Sequence, residues 1–374
     1  MNGRRGRPND HHATMKKKIG IVTGGGDCPG LNAVIRAAAK AAAMRGWETV
    51  GILGGYAGLL EPRQFLPLDY HALSGLLTRG GTILGTANRG RFSAKTGHGE
   101  SRRLPAELLD GVKDGMGALG LSALVTIGGD GSLTIAQQLH EHGVPLVGVP
   151  KTIDNDLAGT MMTFGFDSAV ACATDALDRL HTTAESHNRV MVLEVMGRYA
   201  GWIALYAGVA GGADVILIPE IPFSYDSVCA KIRERESHGR KFTLVVVAEG
   251  AREKEAGFVT AAGQEANREA RLGGVGAVVA AEIERRTGKE TRQCVLGHLQ
   301  RGGSPTTFDR ALCSMFGATA VELIAAGDFG RMVAFTDGGV RAVDISEAVG
   351  RLKTVPVEGS LARTARALGI SLGD

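Results

Sequence analysis

Cysteine is scarce in this chain. Five residues, Cys28, Cys172, Cys229, Cys294 and Cys313, are scattered over 374 positions, odd in number and without a C-x-x-C pair. That pattern gives no disulfide framework and implies a reduced, cytosolic protein with buried or bystander thiols. Long apolar runs are also missing. No stretch approaches the ~18–20 residues that a membrane-spanning helix needs, and the N-terminal head lacks the apolar core of a secretory signal. Nor does the body carry an excess of charge. The formal net charge of +3 comes from the first 18 residues, which hold Arg4, Arg5, Arg7, Lys16, Lys17 and Lys18 against one acid, Asp10. That head carries +5, which leaves −2 for the remainder. A near-neutral body has no electrostatic footprint for nucleic acid. The head reads as a solvated, disordered extension, with Met15 as an alternative start. There is no internal repeat, and no low-complexity stretch beyond the head.

Glycine, by contrast, is abundant: 55 residues, about twice the usual frequency and without collagen periodicity. Tight turns must therefore be many. The length suggests two lobes. Short β-branched runs end repeatedly in glycine or a polar turn: "IGIVTGGGD", "TVGILGG", "ALVTIGGDG", "PLVGVPK", "RVMVLEVMG", "DVILIPEI", "FTLVVVAEG" and "QCVLGH". Most are apolar on both faces, as strands buried in a parallel sheet are. Between them lie helical segments: "LNAVIRAAAKAAAMRG", "SLTIAQQLHEHG" with Ser132 as its cap, "FDSAVACATDALDRLHTTAESH", and the glycine-interrupted "NREARLGGVGAVVAAEIERRTG". Alternating strands and helices predict a doubly wound α/β architecture. In such sheets ligands bind outside the carboxyl ends of the strands, where these polar endings lie.

Four constellations stand at those ends. "TGGGDCPGLN", Thr23 to Asn32, places three glycines between a strand and a helix start. Backbone can approach an anion there and the helix dipole favours it, although a plain tight turn accounts for the residues equally well. "GGDGS", Gly128 to Ser132, repeats the pattern with one carboxylate. Asp130 suits Mg²⁺, a hard ion that takes oxygen ligands and keeps several waters; a helix-entry aspartate is the plainer reading. "VPKTIDND" carries Lys151, Thr152, Asp154 and Asp156 just past a strand. Residues two apart in extended chain point the same way, so the two carboxylates can share a site. One could take a proton from a sugar hydroxyl during phosphoryl transfer while the other orients it or helps place the metal. Lastly, Arg189, Arg198, Arg292 and Arg301 are bidentate phosphate binders by chemistry, with His298 nearby in sequence and Glu249 at a strand end able to accept from a hydroxyl.

With "GGGDCPGLN", "GGDGS", "PKTIDND", "EVMGRYAG" and "LGHLQRGGSP" together, the chain resembles the phosphofructokinase family from about Ile19 to about Ala320. The resemblance implies two doubly wound parallel-sheet lobes of α/β class with the active site in the cleft between them, and a homotetramer or homodimer. It implies a basic extension over 1–14, a donor lobe of 15–165 plus about 300–350, and a sugar-phosphate lobe of 166–299 plus about 351–374. The implied reaction transfers a phosphoryl group to the 1-hydroxyl of fructose 6-phosphate, giving fructose 1,6-bisphosphate. By motif, Asp154 is the base, assisted by Thr152 and Asp156. Asp130 holds Mg²⁺ and Arg198 stabilises the phosphoryl group in flight. Met196, Gly197, Glu249 and His298 hold the sugar. Arg189, Arg292 and Arg301 grip its 6-phosphate, Arg189 and Arg292 from across a subunit interface. Gly26, Gly129, Gly131, Ser132, Lys151 and a basic residue of "TANRGRF" (Arg89 or Arg91) meet the donor.

The donor signature is mixed. In this family ATP users carry glycine at the positions of Gly131 and Lys151, and pyrophosphate users carry aspartate and lysine. A carboxylate at the first position would crowd and repel the α-phosphate of ATP, whereas an extra lysine is tolerable. ATP is therefore the expected donor and pyrophosphate the alternative. A non-catalytic sensor would lack the base, the metal aspartate or the arginine, and Asp154, Asp130 and Arg198 are all present. Arg36 and Lys40 suit an effector site, but the stretch near His181 offers no arginine in the expected place, so allosteric control is not implied.

Overall fold

The computed structural model describes residues 16–69, 71, 73–87, 90–92, 102–254, 257–258 and 274–374, the pair 257–258 in backbone only. The expected extension over 1–14, Arg89, and residues 267–273 of the glycine-interrupted helical segment lie outside them.

Strand and helix alternate along the chain. First come β1 (Lys18–Thr23), α1 (Leu31–Met44), β2 (Glu48–Ile52) and β3 (Phe65–Pro67). Then follow α2 (Ala106–Leu119), β4 (Ala123–Gly128), α3 (Asp130–Glu141), β5 (Leu146–Pro150), α4 (Phe166–His187) and β6 (Val190–Val195). The next elements are α5 (Trp202–Ala210), β7 (Val215–Leu217), α6 (Tyr225–Ser237), β8 (Thr243–Ala248), and the short pair β9 (Arg252–Glu253) and β10 (Gly257–Phe258). The chain finishes through α7 (Val275–Thr287), β11 (Thr291–Val295), α8 (Thr307–Ala326), β12 (Arg331–Thr336), β13 (Gly339–Asp344), α9 (Ile345–Ala348) and α10 (Ser360–Ala367).

Two main sheets result. The first has seven strands in the order β13-β12-β5-β4-β1-β2-β3, and the second has four in the order β11-β6-β8-β7. The second sheet is parallel throughout. So is the centre of the first, while β3 and β13 run antiparallel at its edges. The hairpin β12–β13 was not among the apolar runs of the sequence. Only Met332–Phe335 is apolar in β12, and β13 lies at an edge where most side chains stay partly wet.

The double-sided apolar pattern has a direct structural meaning. Side chains alternate across a strand. Ile19, Ile21, Val125, Ile127, Val147 and Val149 face a core shared with α1 and α8, whereas Val22, Leu124 and Leu146 face one shared with α2 and α3. The second sheet repeats this: Leu193, Val195 and Val246 look toward α4 and α5, and Val192, Val245 and Val247 toward α6 and α7. Each fully buried Val, Leu or Ile is worth about 1.5–3 kcal/mol relative to exposure. The alanines of α1 serve close packing. A Cβ on Gly317 of α8 would stand 2.7 Å from Ala37 Cβ, so small residues on both helices let the backbones approach.

Candidate active site

Strands β5, β4 and β1 are neighbours, so their carboxyl ends lie side by side. Between β1 and β4 the strand order also reverses, with β2 on one side and β4 and β5 on the other. Open α/β sheets take ligands at such a switch point. Beyond β1 runs the Gly24–Gly30 loop, beyond β4 the Gly129–Ser132 turn, and beyond β5 the Lys151–Asp156 turn.

The two glycine loops touch. Gly24 donates its N–H to the Ile127 carbonyl at 2.9 Å, and a Cβ on Gly24 would lie 2.5 Å from Ser132 Oγ. Ser132 is not the helix cap that the sequence suggested. Helix α3 starts at Asp130 with Gly129 as N-cap and no side-chain cap, and Ser132 is buried in the first turn. The reason is packing: its side chain fills the gap beneath Gly24 and Gly128. Helix α1 likewise starts without a side-chain cap or a first-turn acid. At three other helices a carboxylate from elsewhere in the chain occupies the start. Asp309 accepts from Gly165 N at 3.0 Å and Ser168 N at 2.9 Å at α4, Glu220 accepts from Gly201 N at 3.1 Å at α5, and Glu194 accepts from Gly276 N at 2.7 Å at α7. The uncapped amides of α1 thus leave room for an anion.

Lys151 is buried and donates from Nζ to the carbonyl oxygen of Gly26. Burial pulls its pKa below the usual lysine value. Gly131 has the opposite surroundings, since a Cβ there would meet nothing within 4 Å. Asp130 accepts a long hydrogen bond from Gly350 N at 3.3 Å. Among the described residues no group of three His, Cys, Asp or Glu side chains could hold a metal ion. A cation at Asp130 would therefore draw its other ligands from water and phosphate oxygens, which suits Mg²⁺. Arg91 is exposed.

Asp154 faces this group from the third turn. Its Oδ1 is shielded from solvent and has no hydrogen-bond partner, while its backbone N–H donates to Thr152 Oγ1 at 3.1 Å. Burial, and then the charges of Asp156 and Glu249, push its pKa up to about 7 against the pull of Arg301 and Lys151. A carboxylate near neutrality is suited to proton transfer. Asn155, between the two aspartates, takes a left-handed φ of 51°, which short polar side chains tolerate best.

The second sheet supplies the facing groups in the same manner, from the adjacent ends of β11, β6 and β8. Met196, Gly197 and Arg198 follow β6, Glu249 follows β8, and His298 and Arg301 follow β11. Glu249 donates its N–H to the Val195 carbonyl at 2.8 Å. Its carboxyl pKa is raised by burial, with Arg198 and the Gly197 amide opposing. The Arg198 guanidinium lies 5.8 Å from the Tyr199 ring, and His298 is exposed. Arg301 crosses to the first sheet: Nη1 donates to the Asp27 carbonyl at 3.4 Å, in the space a Cβ on Gly26 would need. Its charge also acts on Asp154 and Lys151.

Arg189 and Arg292 do not join this cluster. Arg189 precedes β6 and Arg292 is the second residue of β11, both at the amino ends of the strands. A strand such as β6 rises about 3.3 Å per residue, so these arginines stand more than ~15 Å from the Met196–Arg198 end. They share one acid, with Glu290 Oε1 lying 2.8 Å from Arg189 and 2.5 Å from Arg292. Arg36 and Lys40 are half-buried on α1, and the His181 ring packs edge-on against Phe242 at 5.0 Å. No helix among the described residues is long and apolar enough to cross a membrane.

Two residues near the site, Lys353 and Trp202, were not foreseen. Lys353 donates from Nζ to Asn155 Oδ1 at 2.8 Å, and Trp202 donates from Nε1 to the Lys353 carbonyl at 2.9 Å. Lys353 follows no apolar strand and adjoins no glycine turn, so nothing local in the sequence marks it.

Fold and cleft together define a two-sheet α/β protein with glycine loops on one wall and an acid-bearing turn opposite basic groups. Residues 18–324 match the family described as Phosphofructokinase, and the chain belongs to that family. It is 52% identical over 363 residues to a Chloroflexus aggregans protein named ATP-dependent 6-phosphofructokinase, covering 97% of this chain and 99% of that one. It is also 51% identical over 346 residues to a Streptomyces coelicolor protein named pyrophosphate–fructose 6-phosphate 1-phosphotransferase, covering 90% and 96%. Among solved structures, phosphofructokinase from Saccharomyces cerevisiae superposes with a TM-score of 0.75 at 31% identity, covering 89% of this chain and 45% of that longer one.

Proposed function

We propose that the protein is an ATP-dependent 6-phosphofructokinase, a phosphotransferase that makes fructose 1,6-bisphosphate from fructose 6-phosphate and ATP. The observation that carries this reading is Asp154: a shielded carboxyl with an unpartnered oxygen and a pKa near 7, placed where donor loops and sugar-side groups meet. The name and near-complete coverage of the Chloroflexus relative support it.

Phosphoryl transfer needs positioning and charge stabilisation more than covalent chemistry. In our reading the ATP phosphates lie over the Gly24–Gly26 loop and the uncapped starts of α1 and α3. Gly129, Gly131 and Ser132 shape the second wall, and a basic residue of "TANRGRF" meets the phosphates from outside. Asp130, with water and phosphate oxygens, would hold Mg²⁺, which neutralises charge on the transferring group. Asp154 accepts the proton of the 1-hydroxyl as its oxygen attacks the γ-phosphorus of ATP and the bond to the departing ADP oxygen breaks. Thr152 and Asp156 keep the turn and its charge in place. Arg198 neutralises the group in flight. Met196, Gly197, Glu249 and His298 orient the sugar, and Arg301 serves its 6-phosphate. Arg189 and Arg292 reach the 6-phosphate of a neighbouring subunit in a homotetramer or homodimer, a role supported by their distance from the Met196–Arg198 end of their own sheet. The sheets support the proposed division into a donor lobe (15–165 plus about 300–350) and a sugar lobe (166–299 plus about 351–374): one sheet draws only on residues 18–150 and 331–344, the other on 190–295. A cytoplasmic location accords with a glycolytic role and with five free cysteines.

Pyrophosphate is the second reading, favoured by Lys151 and by the name of the Streptomyces relative. Gly131 weighs against it, because the space beside it admits a nucleotide. The proposal is tested by following fructose 1,6-bisphosphate formation from fructose 6-phosphate, ATP and Mg²⁺, with Asp154→Ser alongside. General-base removal should lower kcat by ~10²–10⁴-fold. Product formation by the variant at the parent rate would overturn the assignment.

A further inference from the structure

The turn that carries Asp154 is braced from both sides. Thr163 donates from Oγ1 to the Thr152 carbonyl at 2.7 Å and from its N–H to Asn155 Oδ1 at 3.1 Å. From the C-terminal segment, Lys353 donates from Nζ to Asn155 Oδ1 at 2.8 Å, to the Thr160 carbonyl at 2.9 Å and to the Met161 carbonyl at 3.0 Å. Its three ammonium donors are thus all used. Its backbone N–H donates to the Asp156 carbonyl at 2.8 Å, and Leu352 bridges to Leu157.

The same segment grips the other wall of the cleft. The Lys353 carbonyl accepts from Trp202 Nε1 at 2.9 Å, and the ammonium lies 5.8 Å from the Trp202 ring. Two residues on, Val355 donates to Glu220 Oε1 at 2.8 Å, and the same carboxylate accepts from Gly201 N. Gly201 and Trp202 directly follow the Met196–Ala200 loop that carries Arg198. One short stretch of chain therefore ties the Asp154 turn to the Arg198 loop, and Lys353 holds both ends of the tie.

We infer that Lys353 is a positioning residue for phosphoryl transfer, fixing the Asp154 turn at its working distance from the Arg198 loop. This rests on the reading of Asp154 as the base. The ammonium is poorly solvated, and burial lowers its pKa to about 8 while Asp156 opposes, so it remains mostly charged at pH 7. Its carbonyl and amide partners need a cation with directed N–H donors. An apolar replacement would leave them unsatisfied.

Chemical rescue provides the test. Lys353 lines an open surface pocket of about 460 Å³ together with Gly159, Thr160, Met161, Thr336 and Arg341, so a small amine can reach the vacated position. Lys353→Ala should lose at least ~10-fold in kcat while KM for fructose 6-phosphate changes less than ~3-fold. Ethylammonium at tens of millimolar should restore at least ~3-fold, whereas tetramethylammonium, which has no N–H, should restore nothing. Parent-like kcat in Lys353→Ala, or a loss indifferent to ethylammonium, would overturn the inference. Should Lys353→Ala fail to fold, Trp202→Phe loosens the same tie from its other side; a lowered kcat at parent Tm supports the inference and an unchanged kcat refutes it. Asp154→Ser, assayed in parallel, separates the two failures. An active Asp154→Ser defeats the base assignment and this inference with it. An inactive one beside a parent-like Lys353→Ala defeats this inference alone.

Discussion

Lys151 directs its ammonium into the carbonyl oxygen of Gly26, binding the end of β5 to the loop that follows β1. The lysine that suggested pyrophosphate in the sequence is therefore buried and committed to a backbone acceptor of the glycine loop. Two positions along the neighbouring wall, Gly131 looks into room that a side chain would take.

Donor choice should consequently hinge on position 131. Gly131→Asp puts a carboxylate where the proposed reading lays nucleotide phosphate. Two unit charges ~4 Å apart repel by up to about 4 kcal/mol at the effective dielectric of a protein surface. A loss of at least ~10²-fold in kcat/KM for ATP is expected, with a loss several-fold smaller for pyrophosphate. Steady-state kinetics with both donors checks this, and equal losses would refute the steric argument.

Asp154 predicts both a pH profile and a stability change. As the proposed base it works in the carboxylate form, and its folded pKa is about 7. The ascending limb of kcat/KM should therefore have its midpoint near pH 7, with activity falling as pH drops below it. For stability the sign is reversed. A carboxyl whose folded pKa is raised stabilises the fold fully only below its unfolded value, near 4, and that contribution is lost as pH rises through about 7. At pH 8 the native protein thus carries a buried, poorly partnered charge, and Asp154→Asn should raise Tm by ~2 °C. At pH 5 the gain should shrink. A variant less stable than the parent at pH 8 would contradict the environment described for this carboxyl.

Much of this was legible because the chemistry sits in contiguous motifs. "GGGD", "GGDGS" and "PKTIDND" each follow a strand whose double-sided apolar pattern announces a buried parallel sheet, and strand adjacency brings them together. Residues whose role depends on distant chain were not legible. Lys353 meets Asn155 across 198 positions, and neither end carries a pattern that points to the other. Ser132 was misread as a cap because capping chemistry is local, while the tertiary demand to fill the space under Gly24 is not. The edge hairpin β12–β13 escaped because an edge strand has too few buried positions to stand out as an apolar run.

With Arg189 and Arg292 at the opposite end of the second sheet from Met196–Arg198, the proposed reading predicts a site shared between subunits. Arg292→Ser should raise KM for fructose 6-phosphate at least ~10-fold with a smaller change in kcat. Mixing subunits of Arg292→Ser with subunits of Asp154→Ser, through dissociation and reassembly, should regenerate activity neither variant has alone, because some sites then draw both intact halves. Hybrids no more active than the sum of their parents would confine the site to one chain.

The most direct measurement is a donor comparison. Purified protein with Mg²⁺ and fructose 6-phosphate is assayed for fructose 1,6-bisphosphate with ATP and, separately, with pyrophosphate. An open Gly131 and a Lys151 held by Gly26 predict a kcat/KM for ATP that exceeds that for pyrophosphate by at least ~10-fold. Turnover with pyrophosphate alone would contradict this and mean that Lys151 decides the donor.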